Sequence, residues 1–359
     1  MKYTFFLILS LFFGFAVGQN ETEINYKPFP NFDDSPRGNE GIRIMFYNVE
    51  NYFDIYDDSL KRDDEYTPKG TRFWSWGRFE EKKNNIAKVI SAVGGFEPVD
   101  IVGLCEIENR YVLENLIGKS GIKNQKFNII HEESPDNRGI DVALLYRSEK
   151  FKPLLHEAIN VSFPNDTTRK TRDILYVKGL ALDSDTLHIF VNHWPSRWGG
   201  MLESEEGRII AAKKLRQKVD SIFIKNNDAN IIIMGDFNDE PDNVSLNEYL
   251  KATSKETLLD TNLNLVNLMY EKMHIEGSHK FQDKWGILDM FIVSKNLLNE
   301  NFQKVQIKNF QANIFRASFL LEPDDTFLGE KPYRTYIGFR FNGGFSDHLP
   351  IYIDLFKRR

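Results

Sequence analysis

Hydrophobic positions along this chain fall into two periods. Short apolar runs, read as buried strands, lie at 42–47, 100–105, 127–131, 140–146, 174–182, 187–192, 230–234, 287–293 and 350–355. Two segments carry helical spacing instead. Phe79, Ile86, Val89, Ile90 and Val93 predict a helix over 78–94, ended by Gly94-Gly95; Ile209, Ile210, Ala212, Leu215, Val219 and Ile222 predict one over 203–225. So many strands broken by few helices exceed one ordinary sheet. The expected fold is α/β, with two stacked mixed β-sheets and helices outside them. Residues 54–77, charged and aromatic, read as a long surface loop, and 310–345 as an excursion before the last strand.

How the apolar runs end is more telling than where they lie. Four stop on a polar residue: Asn48, Glu106, His193 and Asp236. Asp289 and Asp347-His348 stand at or just before the start of theirs. All can meet at one sheet edge only if the last strands run opposite to the others. Ile231-Ile232-Ile233-Met234 leads into Gly235-Asp236-Phe237-Asn238, where extended backbone sends Asp236 and Asn238 to one side.

Carboxylates and amides at such an edge suit a hard cation. Asn48, Glu106, Asp236, Asn238, Asp289 and Asp347 offer only oxygen donors, the preference of Mg²⁺, Mn²⁺ or Ca²⁺, and Mg²⁺ keeps open, water-filled positions that suit phosphate. His193 and His348 have the acid/base chemistry to act beside them. His131, His156, His188, His274 and His279 lack such context and read as structural. Arg138, and Ser196-Arg197 after Pro195, are candidates for substrate binding, since a guanidinium clamps phosphate through two nitrogens. Trp74, Trp76, Trp194 and Trp198 are candidates for stacking on a base or ring, or for covering the core.

Composition narrows the class. The 359 residues are 41% hydrophobic and 27% charged, ordinary for a globular protein, and the net charge of −6 argues mildly against a tight duplex binder that relies on nonspecific phosphate neutralisation. Residues 1–18 read as a signal peptide: Lys2 before the apolar run Phe5 to Val17, then cleavage near Gly18. Residues 19–40 read as a flexible lead-in and 41–359 as one catalytic domain, secreted or periplasmic. The single cysteine, Cys105, lies in an apolar strand pattern and reads as a buried thiol.

The segments Ile44–Asn51, Val102–Glu106, Gly139–Arg147, Asn192-His193-Trp194, Gly235–Asn238, Ile287-Leu288-Asp289 and Ser346–Pro350 together resemble, in this order, the endonuclease/exonuclease/phosphatase (DNase I-like) superfamily. That superfamily takes in DNase I-like nucleases, abasic-site endonucleases, inositol-phosphate phosphatases and bacterial sphingomyelinases. The resemblance implies a four-layer α/β/β/α sandwich and a phosphoester hydrolase. It implies that Asn48 and Glu106 form the metal-site pair and Asp347 a further metal-site carboxylate. Asp236 would orient or activate the attacking water, and Asn238 would donate to the phosphate. His348, held by Asp289, would contact the scissile phosphate, and His193 would be the second histidine of the DNase I and sphingomyelinase branches. The role of Glu50 stays open. A nuclease acting on DNA or RNA with a divalent cation, Mg²⁺ first, is the leading expectation. A lipid-headgroup or inositol-phosphate phosphodiesterase or phosphatase that touches a membrane surface is the alternative. A non-catalytic binding protein on the same fold is the remaining one. No obligate protein partner is evident.

Overall fold

The computed structural model describes residues 32–357, apart from 165, 167, 184, 198–199, 257–263 and 300–304. The expected signal peptide and residues 19–31 lie outside the described residues. In chain order the elements begin with β1 (Gly41–Tyr52), α1 (Trp76–Gly94), β2 (Ile101–Ile107), α2 (Arg110–Lys119), β3 (Phe127–His131), β4 (Asp141–Arg147) and β5 (Phe151–Ile159). Then come β6 (Ile174–Ala181), β7 (Asp185–His193), α3 (Met201–Lys225), β8 (Asn230–Asp236), β9 (Ala252–Thr253), β10 (Leu265–Asn267), β11 (His279–Phe281), β12 (Lys284–Gly286) and β13 (Asp289–Ser294). The chain closes with β14 (Val305–Ile307), β15 (Asn313–Ile314), β16 (Leu321–Pro323), β17 (Glu330–Pro332), β18 (Tyr336–Ile337), β19 (Arg340–Phe341) and β20 (Ile351–Lys357).

Two mixed sheets stack face to face, as the strand pattern predicts. One has the order β14-β20-β1-β2-β4-β3, with β15 also on β20; the other runs β5-β6-β7-β8-β13-β10-β9. In the first, β1 and β2 are parallel while β20 and β4 run antiparallel to them. In the second, β7 and β8 are parallel and β13 runs antiparallel to β8. The C-terminal ends of β1, β2, β7 and β8 therefore share one edge with the N-terminal ends of β4, β13 and β20. Ile42, Ile44, Phe46, Cys105 and Leu144 from the first sheet join Val177, Ile189, Ile233, Met234 and Phe291 from the second in one apolar core. Cys105 is buried within it.

Several elements escaped the sequence pattern. β5 is an edge strand, exposed over most of its length, and bears Pro153 beside a register shift. α2 is short and owes its start to Asn109, whose side chain accepts from Val112 N–H. The 310–345 stretch holds the small ribbons β16–β17 and β18–β19. Residues 54–77 are not a plain surface loop. Tyr66 stacks on Phe53 at 4.3 Å, Trp74 donates to Phe53 O, and both rings pack against Tyr336 of β18. The lead-in, expected to be loose to residue 40, is pinned over its described part: buried Arg37 donates to Gly94 O, Glu97 O and Pro98 O.

Candidate active site

β1 and β2 leave their regular path where the polar residues begin. β1 bulges against β2 between Asn48 and Tyr52, with Glu50 at φ 52° and Asn51 at φ 55°. β2 shifts register against β4 between Cys105 and Ile107, and Glu106 sits between them at φ 61°. Asn238, after β8, has φ 53°. Left-handed residues and bulges at a sheet edge re-aim side chains, here into the gap between the sheets. Gly235 serves a different need. It lies opposite Asn192 in the β7–β8 register, and a Cβ there would come within 2.5 Å of Asn192 O and 2.6 Å of its Cβ. Its bareness lets the two strands close up with His193 opposite Asp236.

The side chains then meet across the two sheets. Asn48 Nδ2 donates to Asp236 Oδ2 at 3.0 Å and faces Glu106 Oε1 at 3.5 Å, while its own Oδ1 accepts from Glu50 N–H. Asn51 N–H fixes Glu106 Oε2 at 2.8 Å, and Asn238 N–H fixes Asp236 Oδ1 at 2.9 Å. His193 Nε2 lies 3.7 Å from Asp236 and 3.8 Å from Glu106. His348 Nε2 approaches the same Asp236 oxygen at 3.8 Å, and its Nδ1 bonds Asp289 at 2.7 Å. Ser346 locks this arrangement, donating to Asn48 O and accepting from His348 N–H. Asp347, His348 and His279 bring one ligand atom each within 4.8 Å of one another, as do Asp236, Asp289 and His348.

Burial sets the protonation states. It pushes His193 well below the ordinary imidazole range, helped by Arg172, Arg138 and His348, so this ring is neutral. His193 Nδ1 has no partner among the described residues. The one N–H of the neutral ring therefore fits on Nε2, toward the carboxylates. Burial also opposes charge on His348, but Asp289 and Asp236 overcome it and hold the ring protonated. Asp236 is pushed up to about 7 by burial and Asp289, against the pull of His348. For Asp347, Arg334 and His348 outweigh burial and bring it down to about 2. The site thus holds one neutral imidazole, one imidazolium and a carboxyl poised near neutrality.

Not every candidate reaches this cluster. Asn238 stands beside it with Nδ2 donating to Trp194 O. Arg197 is spent on the loop after β8, through Asn238 O and Asn243 Oδ1, rather than presented as a clamp. Ser196 lines a cleft of about 250 Å³ with Phe163, Arg169 and Arg172, outside the carboxylate cluster. Arg138 is half exposed beside Asp136 and close enough for its charge to act on His193. Trp74 and Trp194 are fully buried, Trp194 edge-on to Phe237, which removes both as stacking platforms. Trp76 remains half exposed, and Trp198 lies outside the described residues. His279, read as structural, packs its ring 4.7 Å from that of His348. A cavity of about 730 Å³ between β6, β7 and α3 contains none of these residues.

Sequence reasoning missed Arg334. It comes from the 310–345 excursion, where no period marks it, and bridges Glu50 Oε1 at 3.0 Å and Asp347 Oδ2 at 2.9 Å. Glu50 Oε2 accepts from Thr335 N–H, so Glu50 anchors this segment to β1. Lys82, buried on α1 and lowered to about 8 by desolvation, backs the same group through Thr335 Oγ1 and Phe345 O.

A profile of the Endonuclease/Exonuclease/phosphatase family matches residues 43–357. No curated protein matches the chain in sequence. Among solved structures, the human Nocturnin catalytic domain with bound sulfate aligns at TM-score 0.52 and 18% identity, over 89% of this chain and 95% of that one. A mannosyl-6-phosphatase from Bacteroides thetaiotaomicron aligns at 0.53 and 15%, over 88% and 99%. D. rerio TDP2 complexed with single-strand DNA product aligns at 0.52 and 14%, over 88% and 98%. At these identities the likeness is one of fold.

Proposed function

The chain belongs to the endonuclease/exonuclease/phosphatase family, and on that premise we propose that it is an exported, divalent-cation-dependent phosphoesterase, first of all a nuclease that cleaves DNA or RNA by in-line attack of water. The observation that carries this reading is the convergence of Asn48, Glu106, Asp236, His193 and His348 at the junction of the two sheets. Asp236, once ionised, takes the proton of the attacking water. His348, cationic and oriented by Asp289, stabilises charge building on the phosphate oxygens, and neutral His193 donates Nε2–H to another oxygen. No covalent intermediate with the protein is required.

The donor set fits a hard cation. Among the described residues Glu106 Oε1 meets no N–H closer than the Asn48 amide at 3.5 Å, and Asp347 stands in a separate cluster with His279 and His348 whose ligand atoms lie within 4.8 Å of one another. Glu106 would be the first ligand of the ion; Asn48, expected as its partner there, instead turns Nδ2 to Glu106 and Asp236 and spends Oδ1 on Glu50 N–H, so it orients these carboxylates. When bound, the ion would supply charge neutralisation at the phosphate, with Mg²⁺ the first choice and Mn²⁺ or Ca²⁺ the others.

TDP2, whose structure holds single-strand DNA, supports a nucleic-acid substrate. The net charge of −6 and the likeness to a sugar phosphatase favour a second reading, a lipid-headgroup, inositol-phosphate or other small phosphoester. Mature protein, assayed with each cation against plasmid DNA, RNA, sphingomyelin, inositol phosphates and a generic phosphodiester, separates them. Nucleic-acid cleavage is the expected result. Preference for a small phosphoester promotes the second reading, and no cleavage in the whole panel leaves a binding protein.

A further inference from the structure

Arg334 is built differently from a structural arginine of this protein. Arg43, on β1, spends all three guanidinium nitrogens on protein acceptors: Nε and Nη2 on Asp354, Nη1 on Val93 O, and Nη2 also on Asp33 O. Its side chain is 1% exposed. Arg334 spends only Nε, on Glu50, and Nη2, on Asp347 and Glu50. Its Nη1 group has no hydrogen-bond partner among the described residues, and the side chain is 43% exposed. The backbone around it is nevertheless firmly set. Thr335 N–H is held by buried Glu50, and Tyr333 N–H donates to Leu320 O.

Its place matters as much as its freedom. Asp347, which Arg334 grips at 2.9 Å, stands in one cluster with His348, and His348 Nε2 faces Asp236. A phosphate seated against His348 and Asp236 therefore lies one carboxylate away from an open guanidinium edge. A fork with two nitrogens locked on carboxylates is already oriented, so little side-chain entropy remains to be lost when the third meets an anion. The charges of Arg138 and Arg172 act on His193. The site would then hold its substrate between cations of two different segments.

Resting on the phosphoesterase reading, we propose that Arg334 is a substrate-binding residue, whose Nη1 edge takes a non-bridging oxygen of the bound phosphate. The 310–345 excursion is then part of the substrate site, and Glu50 is the residue that aims the arginine.

The test uses the full mature chain and the variants Arg334→Gln and Arg334→Lys. Calorimetric titration with inorganic phosphate, with and without Mg²⁺, reads binding without turnover. Kinetics on bis(p-nitrophenyl) phosphate read KM against kcat, and thermal melts read folding. Both variants are expected to bind phosphate about tenfold or more weakly, the usual loss for one charge-assisted hydrogen bond. KM is expected to rise by a similar factor, with Lys losing less than Gln. Phosphate affinity equal in wild type and both variants overturns the proposal, whatever the melts show, and leaves Arg334 a counter-ion for Glu50 and Asp347. Phosphate binding that depends on Arg334 in a protein that hydrolyses no phosphoester sinks the hydrolase reading and keeps this one.

Discussion

At Asp236, burial and the carboxylate of Asp289 raise the pKa to about 7 while the imidazolium of His348 pulls it down. A base must be ionised to accept a proton, so kcat/KM is expected to rise as pH increases through about 7. The opposite limb comes from His348, which Asp289 and Asp236 keep protonated beyond its ordinary range. Asp289→Asn removes its strongest charged partner and should move the alkaline limb to lower pH; a profile identical to wild type would deny that role. Asp236→Ala and His348→Ala should each lower kcat by about a hundredfold or more, the usual size of acid/base and charge-stabilising contributions, with melts showing a retained fold. Unchanged turnover in either would remove its assignment. At this scale the sequence was readable where a strand ended on a polar residue, as at Asn48, Glu106, His193 and Asp236. It was silent at Arg334, whose partners lie 284 positions away at Glu50 and 13 away at Asp347.

Elements carry the site through close approach. Gly235 lets β7 and β8 pair without a clash, so Gly235→Ala forces a methyl against Asn192 backbone. A cost of about 1–3 kcal/mol is expected in urea unfolding, as for an overpacked core. Glu108, just past β2, ties the 54–77 segment to the sheet by accepting from Asp54 N–H. Burial, with Asp54 and Asp63 near it, pushes its carboxyl up to about 9. The unfolded group titrates near ~4.3. Between those values the folded state binds the extra proton, so stability from this group falls as pH rises from about 4 to 9. Glu108→Gln keeps an acceptor and drops the charge. Its Tm should exceed that of wild type by about 2 °C or more at pH 8 and by less at pH 5; a pH-independent difference would show that burial does not govern this group. β8 and α3 were legible because a long apolar run or a repeated helical face burial is a local signal. β5, an exposed edge strand, and the ribbons β16–β17 and β18–β19 were not, because they are held by pairing and by rings from elsewhere.

Across the whole molecule, two sheets each bring half of the chemistry. Asn48, Glu106 and His348 come with one sheet, His193, Asp236 and Asp289 with the other, and a continuous apolar core presses the two together. On that architecture the scaffold is expected to stand without an ion. Stripping divalent cations with a chelator should abolish phosphoester cleavage, and Mg²⁺ should restore it, while Tm moves by only about 2–4 °C. Activity that survives chelation would remove the cation from the reaction. The sequence by itself determined the strands, their polar ends and hence the kind of chemistry, because burial on a sheet face and oxygen-rich strand ends are written in adjacent residues. Only the tertiary structure decided which polar groups face one another, which tryptophans are core and which arginine stands open at the site. Those outcomes depend on electrostatics and packing between segments far apart in the chain, and no local pattern encodes that.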